Sequence, residues 1–339
     1  MRAALVFGTE VRTRNQLASG NGWLVALFLL VALPSAARPI DYGPSQDHSH
    51  DGETIRVSVD LVDLHVTVQS HKDMFASGLG KENFQVYEDG VLQQISSFSS
   101  EDMPVTVGLV VDNSGSMKPK VGEVIAAATA FARSSNPEDQ MFVVLFNENV
   151  SFGLPASTPF TDKEAQLRVA LSRIKATGMT ALYDAVAAAL EQVKKGNRDK
   201  KVLIVISDGA DNASKRSLSQ VMALARQSDT IVYTMGLFEE GDPDRNPGAL
   251  KQLARATGGE TFLPESLKEV VPICERIARE IRNQYSIAYV PTNRKQDGAF
   301  RAIQVKASAP GRGRLSVRTR AGYYAPLKAQ PLPSVSNLP

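Results

Sequence analysis

Four short runs of this chain, 105–111, 141–146, 202–206 and 231–235, are apolar almost from end to end. A strand with no polar face must be covered on both sides. That requirement fits a parallel sheet buried between two layers of helices. Between the runs, apolar residues recur at helical spacing over 121–133, 163–174, 181–193 and 218–226. Further helical patterns follow at 249–256 and at 267–282, with a short strand between them at 261–263. Strands alternating with helices predict an α/β fold with a doubly wound, mostly parallel sheet over 104–282. In such sheets ligands bind beyond the carboxyl ends of the strands, where the winding reverses.

The flanking segments have a different texture. Ile55, Val57, Val59 and Leu61 alternate with polar residues, as do Leu64, Val66 and Val68. This is the period of half-buried strands. Glu88-Asp89-Gly90 marks a hairpin turn, because Gly90 adopts positive φ at no steric cost. Alternation returns at 285–290, 302–306 and 315–320, before Tyr323-Tyr324. Neither 54–100 nor 283–326 is large enough to close a core alone, so the two are expected to form one β-sandwich-like region together. Arg312, Arg314, Arg318 and Arg320 are spaced like the solvent face of strands and are read as solvated.

The amino terminus reads as an export signal. Arg2, Arg12 and Arg14 precede the apolar run 23–33, and small residues at Ser35 and Ala37 suit signal peptidase. The run falls short of the roughly 20 residues of a comfortable membrane span. Residues 1–37 are therefore expected to direct export to the periplasm or outside, with membrane attachment only if the segment stays uncleaved. A Pro-, Gly-, Asp- and His-rich linker follows over 38–53, and the tail 327–339 has the composition of disorder. Lys and Arg number 38 against 36 Asp and Glu, and this balance gives no reason to expect a nucleic-acid partner. The single cysteine, Cys274, rules out an intramolecular disulfide and falls among apolar helical positions, as a buried structural thiol would.

Directly after the first apolar run stands Asp112-Asn113-Ser114-Gly115-Ser116. Gly178-Met179-Thr180 opens a helix, and Ser207-Asp208-Gly209 ends the third run. Asp112 and Asp208 thus sit at carboxyl ends of strands and Thr180 at a helix start, three places that converge on one crevice in a doubly wound sheet. Two carboxylates and the hydroxyls of Ser114, Ser116 and Thr180 offer oxygen only, without the thiolate or imidazole that attracts zinc or copper. Such a set suits a hard cation, for which Mg²⁺ prefers about six oxygens and keeps several waters. The bland readings are that Ser114, Ser116 and Thr180 cap helices and that Asp208-Gly209 is an ordinary turn.

On these residues, 105–281 resembles a von Willebrand factor type A (VWA) domain, a Rossmann-like α/β fold. The resemblance implies a metal-ion-dependent adhesion site: Asp112, Ser114 and Ser116 in the first loop, Thr180 in the second and Asp208 in the third. It further implies Mg²⁺ or Mn²⁺ as the metal, and a protein partner that offers a Glu or Asp carboxylate to it. The whole-chain layout, with the phrase 83–90, Phe98 and Pro104, is similar to the secreted bacterial VWFA-related proteins typical of Acidobacteria.

Enzymatic readings lack parts. Asp112 as the nucleophile of a Mg²⁺-dependent phosphohydrolase would want a carboxylate two residues on, where Ser114 stands. A serine hydrolase would want a histidine base, but His48, His50, His65 and His71 all precede the α/β region. The expected function is non-enzymatic, metal-dependent protein binding. The alternative is a metal-stabilised scaffold of the envelope.

Overall fold

Residues 61–70, 75–209, 211–238 and 245–328 are described by the computed structural model, and all belong to one unit spanning 57–339. The signal segment, the linker, the alternation through Ile55, Val57 and Val59, and residues 329–339 of the tail lie outside the described residues. No described helix is long and apolar enough to cross a membrane.

The first strands are β1 (Val62–Gln69), β2 (Phe84–Glu88), β3 (Val91–Gln93) and β4 (Ile95–Ser99). Asp89 and Gly90 connect β2 to β3 with φ of 47° and 81°, the left-handed pair that a two-residue hairpin needs to match strand twist. The α/β layer follows with β5 (Val105–Asp112), β6 (Gln140–Phe146), β7 (Val150–Phe152), β8 (Lys200–Ser207), β9 (Thr230–Gly236) and β10 (Thr261–Phe262). Its helices are α1 (Val121–Ser134), α2 (Glu164–Leu171), α3 (Leu182–Val193), α4 (Leu218–Gln227), α5 (Pro247–Thr257) and α6 (Val270–Arg282). The chain closes with β11 (Tyr285–Tyr289), β12 (Phe300–Ala307), β13 (Ser316–Arg318) and β14 (Gly322–Tyr324).

The central sheet runs β10-β9-β8-β5-β6-β7, parallel throughout except for β7. β5 is buried along its whole length, which explains its lack of any polar alternation. Helix α1 packs against both α2 and α6, and α4 against both α3 and α5, so each group covers the sheet as a layer. From β5 the chain first winds outward to β6 and then returns to β8 on the other side. The winding therefore reverses between β5 and β8, and it is beyond the carboxyl ends of the strands at such a reversal that ligands bind in doubly wound sheets. Cys274, on α6, is a free thiol inside the core, and burial pushes it up to about 12.

The remaining strands form two four-stranded sheets, β13-β1-β11-β4 and β14-β12-β2-β3. Each mixes strands from before and after the α/β layer: Val62 stands opposite Tyr289, and Phe84 opposite Ala307. Their facing sides share a second core around Leu64, Val66, Val86, Tyr285 and Ile287.

The reading of the late arginines as solvated needs correction for two of the four. Arg312 and Arg314 are exposed, but the Arg318 side chain is only 24% exposed and pairs with Glu260 and Glu280. Arg320, at 13%, pairs with Asp229. Glu280 is fully buried on α6 and also accepts from Thr67 on β1 and Tyr233 on β9. A charge on α6 requires a cation there, and strand β13 supplies it from the sandwich. Strand alternation reports the side of a sheet, not what packs on it.

Candidate metal centre

Asp112 is the last residue of β5 and is 1% exposed. One of its oxygens, Oδ1, accepts from the Ser114 backbone N–H at 2.8 Å, and Oδ2 accepts from the Ser207 hydroxyl at 2.6 Å. These bonds fix the carboxylate in one orientation and leave further lone pairs unused. Burial lifts the Asp112 carboxyl to about 6; the Ser114 and Ser207 hydrogen bonds pull it down, and the neighbouring Asp208 charge pushes it up. Ser207, the last residue of β8, also accepts from the Gly209 N–H at 3.0 Å. It therefore ties the two aspartate loops together.

Asp208 follows Ser207 directly and is 1% exposed. Neither of its carboxylate oxygens has a hydrogen-bond partner among the described residues. Gly209 turns the chain away with φ +80°, and a Cβ there would stand 3.0 Å from the Phe238 ring.

In the first loop Ser114 is buried and Ser116 exposed, with hydroxyls 3.1 Å apart. Ser114 precedes the 3₁₀ turn Gly115–Lys120 but makes no side-chain cap bond to it. Thr180, buried at 3%, precedes α3, whose cap position is Ala181 and whose start likewise lacks a side-chain cap from its own segment. The hydroxyls of Ser114 and Thr180 are thus not spent on capping.

Backbone bonds hold the loops side by side. Gly115 N–H donates to the Gly178 carbonyl at 3.1 Å and Thr177 N–H to the Asn113 carbonyl at 2.9 Å. Ala181 N–H donates to the Asn147 carbonyl at 2.8 Å, joining the second loop to the β6–β7 turn. From that turn Glu148 accepts the Met179 N–H at 3.1 Å. Gly178 has φ +82°, and a Cβ would stand 1.8 Å from Glu148 Oε2, so this position has no room for a side chain.

The five residues named from sequence thus lie on three loops at the carboxyl edge of β5 and β8, and these loops bond to one another. No three carboxylate, imidazole or thiol side chains gather at one point among the described residues. The set consists of two carboxylates with hydroxyls, the oxygen-only chemistry of a hard cation. Residues without a role at the sequence level are Ser207, Glu148 and the segment after Gly209. Ser207 had one available signal: it is a hydroxyl closing an apolar run.

Residues 107–210 match the family model described as von Willebrand factor type A domain. No curated protein matches the chain. Among solved structures the chain is similar to a von Willebrand factor type A protein from Catenulispora acidiphila, at 14% identity and TM-score 0.49, covering 80% of this chain and 75% of that one. It is also similar to the vWF domain of the type V pili tip protein Mfa5 from Porphyromonas gingivalis, at 14% identity and TM-score 0.46, covering 53% and 95%. A third likeness is to the conserved hypothetical protein BatB from Bacteroides thetaiotaomicron, at 17% identity and TM-score 0.42, covering 52% and 98%. With its loops at the reversal point of a doubly wound sheet, and with the family match running from β5 to the end of the Asp208 loop, this chain contains a von Willebrand factor type A domain.

Proposed function

We propose that this VWA domain is a non-enzymatic protein-binding module of an exported protein, which captures an acidic side chain of a partner through Mg²⁺ or Mn²⁺. Asp112, Ser114, Ser116, Thr180 and Asp208 would hold the metal. The observation that carries this reading is the Asp208 carboxylate, buried beside a second buried carboxylate with no hydrogen bond to either of its oxygens among the described residues. A buried charge of that kind costs several kcal/mol unless a cation compensates it. The nearby hydroxyls of Ser114 and Thr180, not engaged as caps, supply the neutral oxygens that a hard cation adds to carboxylates.

When bound, the cation supplies a positive charge whose remaining coordination is open to a Glu or Asp carboxylate. The chain's own residues provide the rest. Ser207 and the Ser114 amide orient Asp112, while Gly178 and Gly209 allow the loops to approach closely. Ser116 is the exposed member of the set and marks the side from which a partner reaches the site. Phosphoryl transfer from Asp112 is not favoured, because Ser114 stands where that chemistry wants a carboxylate. Export is supported by the charged, apolar and small-residue pattern of residues 1–37.

The test is capture of the chain by an immobilised glutamate-rich peptide in millimolar Mg²⁺ and in EDTA, with Asp112→Ala as control. Capture that needs both Mg²⁺ and Asp112 is expected. Capture that persists in EDTA, with Asp112→Ala lowering thermal stability alone, would make the metal part of a structural scaffold instead.

A further inference from the structure

A helix start leaves backbone N–H groups without intrahelical partners. The usual remedy is a side-chain oxygen at the cap position. Helix α3 has Ala181 there, which carries no such oxygen, with the Thr180 hydroxyl one residue earlier. The acceptors come instead from the segment that follows the Asp208 turn. Asp211 Oδ2 accepts the Tyr183 N–H at 2.8 Å, and Ser214 Oγ accepts the Asp184 N–H at 3.0 Å. The Ser214 hydroxyl in turn donates to Asp211 Oδ2 at 2.7 Å, which fixes both acceptors.

Thr180 itself is gripped through its backbone. Its N–H donates to Asn212 Oδ1 at 2.8 Å, and its carbonyl accepts the Asn212 and Ala213 N–H groups, each at 3.0 Å. Asp184, one turn into the helix, accepts the Lys215 N–H at 2.9 Å and pairs with Arg216 at 2.9 Å. The loop after β8 is therefore laced to the start of α3 across about thirty residues of sequence. Through all of this the Thr180 hydroxyl makes no hydrogen bond among the described residues.

We infer that Asp211, Asn212 and Ser214 are positioning residues of the metal site. They cap α3 in place of Thr180 and bind its backbone from both sides. The Thr180 hydroxyl is thereby left free for an outside ligand, and the Thr180 and Asp208 loops are fixed as one body. The inference rests on the metal-binding reading above and assigns to that site three residues outside its ligand set. Without the clamp, Thr180 would be free to fold its hydroxyl back onto the α3 amides as an ordinary cap, a use that competes with metal binding.

Asn212 is exposed, so its replacement leaves the core untouched. The experiment compares the full chain with Asn212→Ala and Asn212→Asp, the latter keeping an acceptor for the Thr180 N–H. Two quantities are read: affinity for Mn²⁺ alone, and hydrogen exchange of the Thr180 amide in the metal-free protein. Asn212→Ala is expected to weaken Mn²⁺ binding about 10- to 100-fold, the usual consequence of losing a group that orients a ligand. It should also speed Thr180 exchange at least about tenfold, while the β5 amides stay unchanged and Asn212→Asp recovers most of both losses. Equal Mn²⁺ binding by the unaltered chain and Asn212→Ala, or unchanged Thr180 exchange, overturns the clamp. Absence of Mn²⁺ binding in the unaltered chain, both alone and with a glutamate peptide added, overturns the metal reading and this assignment with it, an outcome distinct from failure of the clamp alone.

Discussion

Removing the charge of Asp208 should stabilise the metal-free protein. Asp208 is 1% exposed, both of its oxygens lack partners among the described residues, and its charge disfavours ionisation of buried Asp112. An uncompensated buried carboxylate costs several kcal/mol, whereas an unpaired amide of the same shape costs about 1–3 kcal/mol. Asp208→Asn should therefore gain on the order of 1–3 kcal/mol in EDTA. At about 2–4 °C per kcal/mol for a domain of this size, that is a rise in Tm of roughly 2–12 °C. Mg²⁺ reverses the order. At about 100 times its Kd, a ligand of the native state adds about 2.7 kcal/mol to the unaltered chain, and the variant, short of one carboxylate, gains little. Thermal unfolding of both proteins in EDTA and in Mg²⁺ reads the crossing directly. An Asp208→Asn variant less stable than the unaltered chain in EDTA, or stabilised as much as it by Mg²⁺, would refute the reasoning.

Two further outcomes concern the framework. Lys200 is buried at the start of β8 and donates to the Ile281 carbonyl at the end of α6; burial pulls it from 10.5 to about 7, against the attraction of Asp102, Asp139 and Glu280. The folded value lies below the unfolded one, so between pH 7 and 10 the unfolded chain holds more protons and stability rises with pH. Relative to Lys200→Met, the unaltered chain should gain about 1.4 kcal/mol per pH unit across that window in denaturant titrations; a difference that does not vary with pH contradicts this. Gly108 lies mid-strand in β5, where a Cβ would stand 2.4 Å from Phe142 Cζ and 2.5 Å from Leu203 Cδ2. Gly108→Ala should cost about 1–3 kcal/mol by overpacking, with metal affinity kept if the strand only shifts locally, and an unchanged unfolding midpoint would show that the core yields.

The fold class was legible because burial on both faces removes polar residues from a strand. Runs such as β5 and β8 therefore stand out whatever surrounds them. Helix positions were legible from apolar periodicity, which marks 218–226 and 249–256 where α4 (Leu218–Gln227) and α5 (Pro247–Thr257) run. The site residues could be named because their types fall at strand ends and helix starts. Their environment was hidden, because it depends on partners distant in sequence. Ser207 reaches Asp112 across 95 residues, Asn212 reaches Thr180 across 32, and Glu148 fills the space over Gly178 from another turn. Arg318 and Arg320 were misread for the same reason. Their alternation is that of a strand, but the surface they face is covered by the α/β layer, where Glu280 and Asp229 await them.

The most direct test of the central claim is calorimetric titration of the chain with Mn²⁺, beside Asp112→Ala and Thr180→Ala. One Mn²⁺ per chain, lost in both variants and followed by uptake of a glutamate peptide only when the metal is present, is the expected result. Failure of the unaltered chain to bind Mn²⁺ both alone and with the peptide added, or equal binding by all three proteins, would contradict the account.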